Sequence, residues 1–484
     1  MNSKRCRTSL LSLLCLVLLL HTTRATAAET AVELSLRQAL EIALANNLNL
    51  QLSKQDLEIA RGSADAEYGS FDSLLQAGAA AGEANLTPNM EGGAYNEDVS
   101  SWNTSVSKKL ATGTEVGISW NNGRDNNDSG LSLINPLYTS GVDLEISQPL
   151  LQGLGSEVQT AGIRAAEKKS EAAAFFVHRE AAELTSQVRK AYWELVSALQ
   201  DIEVLQLSLT LARQLEDETQ SRIEAGVLAQ VEIFQPQSEV ARREQNLISG
   251  ERAVGVAEDN LRFLLNNQEW NRQLTPTDRP EIVPSLPVLD TILNNALANR
   301  PDIKAADMQT EAAKITTVSL KDRTLPALDL FGSVGLAGNE EDYGGALERL
   351  SNDGDTRWQV GISFSTPLEN RSAEGQYRQA KASLNRAKVQ AELLRQQTRS
   401  LARQAVRDIR LSLKAIEATR KTTLASQKRL EGEQTKFEVG RATTYDVLVA
   451  QEAFAKAVAD EYRARIIHAQ ALAEADRIQG IVRI

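Results

Sequence analysis

Apolar and polar residues along this chain recur with two different periods. Val142, Leu144 and Ile146 alternate with Asp143, Glu145 and Ser147, and Val116, Ile118 and Trp120 alternate with Glu115, Gly117, Ser119 and Asn121. Trp358, Val360, Ile362 and Phe364 oppose Gln359, Gly361, Ser363 and Ser365, and Leu328, Leu330, Val334 and Leu336 alternate with Asp329, Ser333 and Gly335. A period of two predicts strands with one apolar and one polar face. The first strand region offers four such segments, 71–82, 100–108, 114–121 and 139–148. A short turn, Lys109 to Gly113, joins the middle pair, and long polar connections, 83–99 and 122–138, join the others. Such strands fit a soluble sheet resting on a protein core. Taken alone they favour that soluble sheet; a membrane barrel with lipid on one face and water on the other, for which about ten residues per strand suffice, becomes the better reading only with the long helices and the start of the chain.

The second period is helical and unusually sustained. Residues 163–225, 376–431 and 441–479 contain no glycine or proline, runs of 63, 56 and 39 residues. The first two would reach about 85–95 Å as unbroken helices, against about 11–12 residues for an ordinary globular helix. Val188, Ala191, Leu195, Ala198, Ile202, Leu205, Leu209 and Ala212 fall at alternating steps of three and four, a heptad seam in which half the knobs are alanine. Val406, Ile409, Leu413 and Ile416 take the matching register in the second half of the chain. The flanking faces are rich in Glu, Gln, Lys and Arg, as expected of helices wetted on both sides.

The start of the chain changes where this fold must live. Lys4, Arg5 and Arg7, an eleven-residue apolar run from Leu10 to Leu20, and Ala25-Thr26-Ala27 read as a secretory signal over residues 1–27. Cys15 as a lipid-attachment cysteine is the other reading, although Ser12-Leu13-Leu14 departs from the lipoprotein pattern. Removing the four basic residues of the signal takes the formal charge from −11 to −15 and removes both cysteines, Cys6 and Cys15. No later stretch has enough consecutive apolar residues for a membrane helix, so a membrane crossing would need a closed barrel. The acidic balance argues against nucleic-acid binding. No catalytic constellation, metal-ligand spacing or cofactor motif is present; His178 and His468 read as surface residues.

The chain repeats its own plan. Ala43-Leu44-Ala45-Asn46-Asn47 returns as Ala296-Leu297-Ala298-Asn299-Arg300, and Ile146-Ser147-Gln148-Pro149-Leu150 returns as Phe364-Ser365-Thr366-Pro367-Leu368. Glu224-Ala225-Gly226 returns as Glu438-Val439-Gly440; an acid follows each glycine by six residues (Glu232, Asp446) and a glutamine by eleven (Gln237, Gln451). The first repeat covers 28–270, with a helix over 33–67, strands over about 69–150 and long helices over about 155–225 and 231–268. Residues 271–288, with Pro276, Pro280, Pro284 and Pro287, read as an extended linker. The second repeat covers 289–484, with a helix over 289–320, strands over about 324–367 and long helices over about 372–434 and 443–479.

These doubled marks, together with the tip sequences Glu224-Ala225-Gly226-Val227-Leu228 and Glu438-Val439-Gly440-Arg441, resemble the TolC-like outer-membrane efflux family. The resemblance implies an α+β fold: a trimeric outer-membrane β-barrel continued by a long α-helical coiled-coil barrel, built from two repeats. It implies no enzyme but a passive duct in an efflux or type I secretion system. The partners are two further copies of the chain, a periplasmic adaptor, an inner-membrane transporter and outer-membrane lipid. Adaptor docking would fall on Ala225, Gly226, Val227, Val439, Gly440 and Arg441, where the glycines also have a purely structural use as left-handed turn residues. The periplasmic gate would fall on Asp446, with Glu232 in the equivalent first-half place; the family's second aspartate falls at Val449. Asp446 is also placed to complete a capping box with Thr443. Pro236 interrupts the first-half pattern near Glu232. Trp102, Trp120 and Trp358 would form an aromatic girdle. The family plan has four strands per protomer and twelve per trimer, so four segments in the first region predict an extra hairpin that widens the wall or decorates its outside. The rival reading is a soluble periplasmic coiled-coil scaffold.

Overall fold

The computed structural model describes residues 32–86, 95–128, 132–268, 270 and 272–482; the secretory signal and both cysteines lie outside them. Its strands are β1 (Val32–Leu34), β2 (Leu74–Leu86), β3 (Tyr95–Lys109), β4 (Glu115–Asn127), β5 (Leu137–Pro149), β6 (Leu274–Pro276), β7 (Ala327–Glu340) and β8 (Asp355–Ser365). Its helices are α1 (Leu36–Asn46), α2 (Leu48–Tyr68), α3 (Ala161–Glu224), α4 (Phe234–Leu265), α5 (Leu289–Asn299), α6 (Pro301–Asp322), α7 (Tyr343–Asn352), α8 (Arg371–Glu438) and α9 (Thr444–Ile478). The single turn Ser156–Gln159 precedes α3, and a 3-10 turn, Gln230–Ile233, precedes α4.

The helix expected over 33–67 starts as a three-residue strand and is broken at Asn47. The Asn47 side chain accepts from the Leu50 amide (3.1 Å) and donates to the Leu264 carbonyl (2.9 Å), so it starts α2 as a cap instead of continuing α1. At the repeat-equivalent position Arg300 is extended (ψ 120°), because Pro301 opens α6 and disfavours a helical residue before it. The linker also carries order of its own. Within it β6 pairs in parallel with β1, and Asp278 accepts from the Leu36 amide at 2.6 Å.

The chain divides into two compact units, and each takes pieces of both repeats. Unit one holds residues up to 51, 181–296 and 400 onward; unit two holds 52–180 and 297–399. The repeats therefore intertwine and do not fold as successive domains.

In unit one, α5, α8 and α9 share a core of Ile292, Ala296, Ala402, Ala405, Ile409, Ala475 and Ile478. Along the heptad seam Val188, Ala191, Leu195, Leu209 and Ala212 are buried, while Ala198, Ile202 and Leu205 are half-buried. Tyr192 is fully buried; burial first of all pushes its hydroxyl up to about 12, and that hydroxyl lies 2.9 Å from Asp278 Oδ2 and 3.0 Å from the Leu34 carbonyl. His468 is not a surface residue. It is fully buried against Ser412 (Nδ1 to Oγ, 3.0 Å), and burial lowers its proton affinity, so it packs as a neutral ring. Among the described residues α3 is the one helix with a stretch long and apolar enough to cross a membrane by composition; a third of that stretch is buried in the protein, in keeping with an alanine-rich packing seam.

Unit two is built on one six-stranded antiparallel sheet of order β2-β3-β4-β5-β7-β8. All four segments expected in the first region are strands of that sheet. The first begins at Leu74 and not at 71, after a 3-10 turn at Gly69–Phe71, and the third at Glu115; at the ends bordering the expected long connections all four run further than the alternation suggested, to Leu86, from Tyr95, to Asn127 and from Leu137. The short turn at Lys109–Gly113 is present, closed by the Leu110 amide on the Thr114 carbonyl at 2.8 Å.

Candidate functional site: the sheet wall and the helix tips

Two places are candidates for the functional site, one in each unit. The first is the sheet. Residues directly opposite in an antiparallel pair project to the same side. The register aligns Leu75, Val106, Ile118, Leu144, Val334 and Trp358 in one row across all six strands. The same face carries Ala77, Ala79, Val116, Trp120, Val142, Ile146, Leu330, Leu336, Val360, Ile362 and Phe364. Most of its large apolar side chains are exposed, a patch far more extensive than the surface of an ordinary soluble domain. The opposite face presents Gln76, Asn103, Ser105, Ser119, Asn121, Asp143, Glu145, Ser333, Gln359 and Arg357. Arg357 on β8 reaches past β7 to form a bidentate pair with Asp143 on β5.

Trp102, Trp120 and Trp358 all lie on the apolar face. The Trp120 indole donates to Ser140 at 3.0 Å, and Trp102 packs on Tyr343 of α7 with ring centroids 5.3 Å apart. Tyr343 in turn donates to Asn122 at 3.2 Å. Helix α7 therefore covers part of this face near one end of β5 and β7, a feature the strand alternation did not announce.

The second place is the pair of helix–turn–helix tips. Gly226 (φ +75°) and Gly440 (φ +72°) end α3 and α8 in the left-handed region. The Val227 amide donates to the Arg222 carbonyl (2.9 Å) and the Arg441 amide to the Lys436 carbonyl (2.7 Å), the Schellman closure in both copies. Ala225, Gly226, Val227, Val439, Gly440 and Arg441 are all exposed. Val231, Phe234 and Tyr445 add further exposed apolar surface. Beneath them Leu215, Phe437, Val447 and Leu448 form a small core. The two tips are tied by Arg222, whose guanidinium stacks 4.1 Å from the Phe437 ring centroid and donates to the Phe437 carbonyl at 3.0 Å. Neither residue stood out in the sequence, since Arg222 lies in a run of ordinary helix polarity and its partner is 215 positions away.

Asp446 completes the capping box of α9: its carboxylate accepts from the Thr443 hydroxyl (2.6 Å) and amide (2.9 Å). Those bonds hold its carboxyl below the usual aspartate range. Glu232 does not repeat this arrangement. It sits exposed in the 3-10 turn, and α4 begins only at Phe234, with Pro236 in the first turn where its missing N–H costs nothing. Among the described residues no three His, Asp or Glu side chains converge on a common point that could hold a metal.

The chain belongs to the outer membrane efflux protein family, whose sequence pattern matches residues 114–267 and 292–480. It is 22% identical over 269 residues to outer membrane protein TolC of Vibrio cholerae serotype O1, a match covering 55% of this chain and 60% of that protein, less than two thirds of its length. The fold matches the outer-membrane channel OprN with a TM-score of 0.71 at 18% identity, covering 92% of this chain and 89% of that one. It also matches the Campylobacter jejuni CmeC outer membrane channel with a TM-score of 0.68 at 16% identity, covering 92% and 85%. The fold is thus that of the outer-membrane efflux channels, and the protein is an outer-membrane protein.

Proposed function

We propose that three copies of this chain form a passive duct through the outer membrane and into the periplasm. The duct would release substrates handed over by an inner-membrane transporter and a periplasmic adaptor, in efflux or type I secretion. The observation that supports it is the sheet: outside the part that α7 covers, its apolar face is exposed, its other face is polar, and among the described residues the edge strands β2 and β8 are each paired on one side only. In hydrocarbon the bare edges would cost several kcal/mol for every unpaired backbone group, so the sheet must close with other copies. Six strands are too few to close alone around a lumen, since about eight fill a barrel with side chains. Helices of 64 and 68 residues supply walls about 95–100 Å long for the periplasmic part. A soluble scaffold would have to leave the apolar face in water.

In this reading Trp102, Trp120 and Trp358 anchor the wall at the lipid interface. The exposed tips, Ala225 to Val227 and Val439 to Arg441, meet the adaptor. Asp446 and Glu232 edge the periplasmic mouth, where three symmetry-related Asp446 carboxylates would attract cations and raise one another's proton affinity against the Thr443 bonds that lower it. The test is conduction in a planar lipid bilayer. Purified protein should open discrete ion-conducting channels, and Asp446→Asn should reduce their preference for cations. A protein that never conducts overturns the duct; an unchanged selectivity removes Asp446 from the mouth.

A further inference from the structure

Resting on the duct reading, we propose that each copy contributes six strands to the barrel wall, and that the seam between copies is β2 of one paired with β8 of the next, giving eighteen strands in the trimer. The hairpin β3–β4 is then an integral part of the lipid-facing wall and not an external decoration.

Four observations carry this. The first is pairing: β3 lies between β2 and β4 with full register on both sides, from Leu74↔Ser107 to Leu86↔Tyr95 and from Glu97↔Asn127 to Lys109↔Glu115. A hairpin peeled away from the wall would break one of these ladders. The second is chemistry: the apolar row continues through Leu75, Ala77 and Ala79 on β2 and Val106 on β3, and the polar row continues through Gln76, Asn103 and Ser105. Both sides of the added strands are thus suited to lipid outside and water inside.

The third is how the β3–β4 turn is seated. The Gly155 amide donates to the Thr112 carbonyl at 3.1 Å. A Cβ at Gly113 (φ +93°) would stand 2.7 Å from the Gly153 carbonyl and 2.9 Å from Pro149 Cγ. The turn is locked against the segment leading from β5 into α3, which a free flap would not need. The fourth is width. Contacts Tyr68–Glu167, Lys304–Phe175 and Arg395–Asp307 place α2, α3, α6 and α8 side by side in that order, and these helices connect to β2, β5, β7 and β8 in the same order. Four helices at about 9–10 Å each span about 36–40 Å. Strands 4.8 Å apart and tilted about 40° take about 6.3 Å each, so six span about 38 Å and four only about 25 Å. The helix layer is thus wide enough to carry a six-stranded wall, although the family joins four strands to such a layer.

The two edges also complement each other. In the antiparallel order β2 and β8 run oppositely, so pairing β8 with the next copy's β2 keeps the barrel antiparallel throughout. On the apolar face β8 offers large side chains (Trp358, Val360, Ile362, Phe364) and β2 mostly alanines (Ala77, Ala79, Ala81). These edge residues are the barest of the face, Trp358 75% and Ile362 67% exposed against 40% for Trp120 inside the sheet, as expected of side chains awaiting a neighbouring strand.

The experiment uses full-length protein assembled in outer membranes and extracted in detergent. A spin label at Glu145→Cys on the polar face of β5, a strand of the wall under either arrangement, reports the distance between copies. Eighteen strands put the backbones about 31 Å apart and twelve about 21 Å, from barrel radii of about 18 and 12 Å; the label's inward reach shortens both equally. In parallel, cysteines at Leu75, Ala77, Ala79 or Ala81 are paired with Val360→Cys. The expected result is the longer distance together with disulfide-linked dimers and trimers from at least one β2–β8 pair. The shorter distance, or no β2–β8 cross-link in a protein that shows an inter-copy distance, overturns the six-strand wall and leaves the duct intact. A protein with no inter-copy distance at all overturns the trimer, and this proposal with it.

Discussion

Replacing Arg222 with alanine should loosen both helix tips while leaving the rest of the fold in place. The Arg222 guanidinium makes a charge-assisted hydrogen bond to the Phe437 carbonyl (3.0 Å) and stacks on the Phe437 ring (4.1 Å); its other branch, Nη2, bonds Glu218 within its own helix (2.7 Å). Hydrogen bonds to charged groups contribute about 1.5–3 kcal/mol, and a partly exposed cation–π contact about 0.5–1. Some of this returns because the Phe437 carbonyl keeps the Gly440 amide as a partner (3.0 Å). A net local loss of about 2–3 kcal/mol remains, a 30- to 150-fold rise in local opening at about 1.4 kcal/mol per decade. Hydrogen exchange read by mass spectrometry on peptides covering 222–231 and 436–446 measures this directly, with strand peptides as the internal reference. Arg222→Lys should fall between wild type and alanine, because it keeps the charge but loses the planar fork. A change of less than about threefold in the tip peptides of Arg222→Ala would falsify the claim that this residue ties the tips together.

Two other outcomes follow from the packing. Burial alone would raise the Glu474 carboxyl, but hydrogen bonds from Arg477 and Lys190 outweigh it and bring it from 4.5 to about 2. A depressed carboxylate stabilises the fold above its unfolded value and loses that contribution as pH falls through the folded one. At 1.36 kcal/mol per unit the contribution is at most about 3.4 kcal/mol, and it disappears between about pH 4.5 and 2. Chemical denaturation should show Glu474→Gln less stable near neutral pH, with the gap closing over that acid window; a constant gap would count against the linkage. On the sheet, Ile362→Arg places a charge on the apolar face and should cost about 2–4 kcal/mol at membrane depth, so assembled trimer in the outer membrane should fall sharply. Gln359→Arg, on the polar face, should assemble normally, and equal assembly of the two variants would mean the faces are assigned the wrong way round.

The strands were readable because a half-covered sheet imposes a period of two on its sequence, and Val142 to Ile146 or Trp358 to Phe364 obey it without exception. The long helices were readable from the absence of glycine and proline and from the heptad seam. Local capping was readable too: Thr443 with Asp446 is a three-residue relation and forms as such. Strand ends were harder: β4 runs on through Asn122 to Asn127 with no apolar residue to mark it, and β2 and β3 extend through polar positions such as Glu83, Asn85 and Asn96 to Asp98 that blur the alternation. His468 was misjudged because a single polar residue in a helix carries no mark of the helix that will cover it; α8 does so through Ser412. Asn47 likewise gave no sign that it would split a helix by bonding Leu264.

What the chain order determined by itself is everything that depends on neighbours a few positions apart: which segments are strands or rods, where the left-handed glycines turn them, and that one plan is written twice. Only the tertiary structure decided which distant pieces meet: that the repeats interleave into shared units, that Arg222 finds Phe437 and Arg357 finds Asp143, and that β3 and β4 enter one continuous sheet. Backbone periodicity is set by local sterics and is therefore visible in a linear string. Partnership between residues hundreds of positions apart is set by the packing of whole elements, and no short window of sequence contains it.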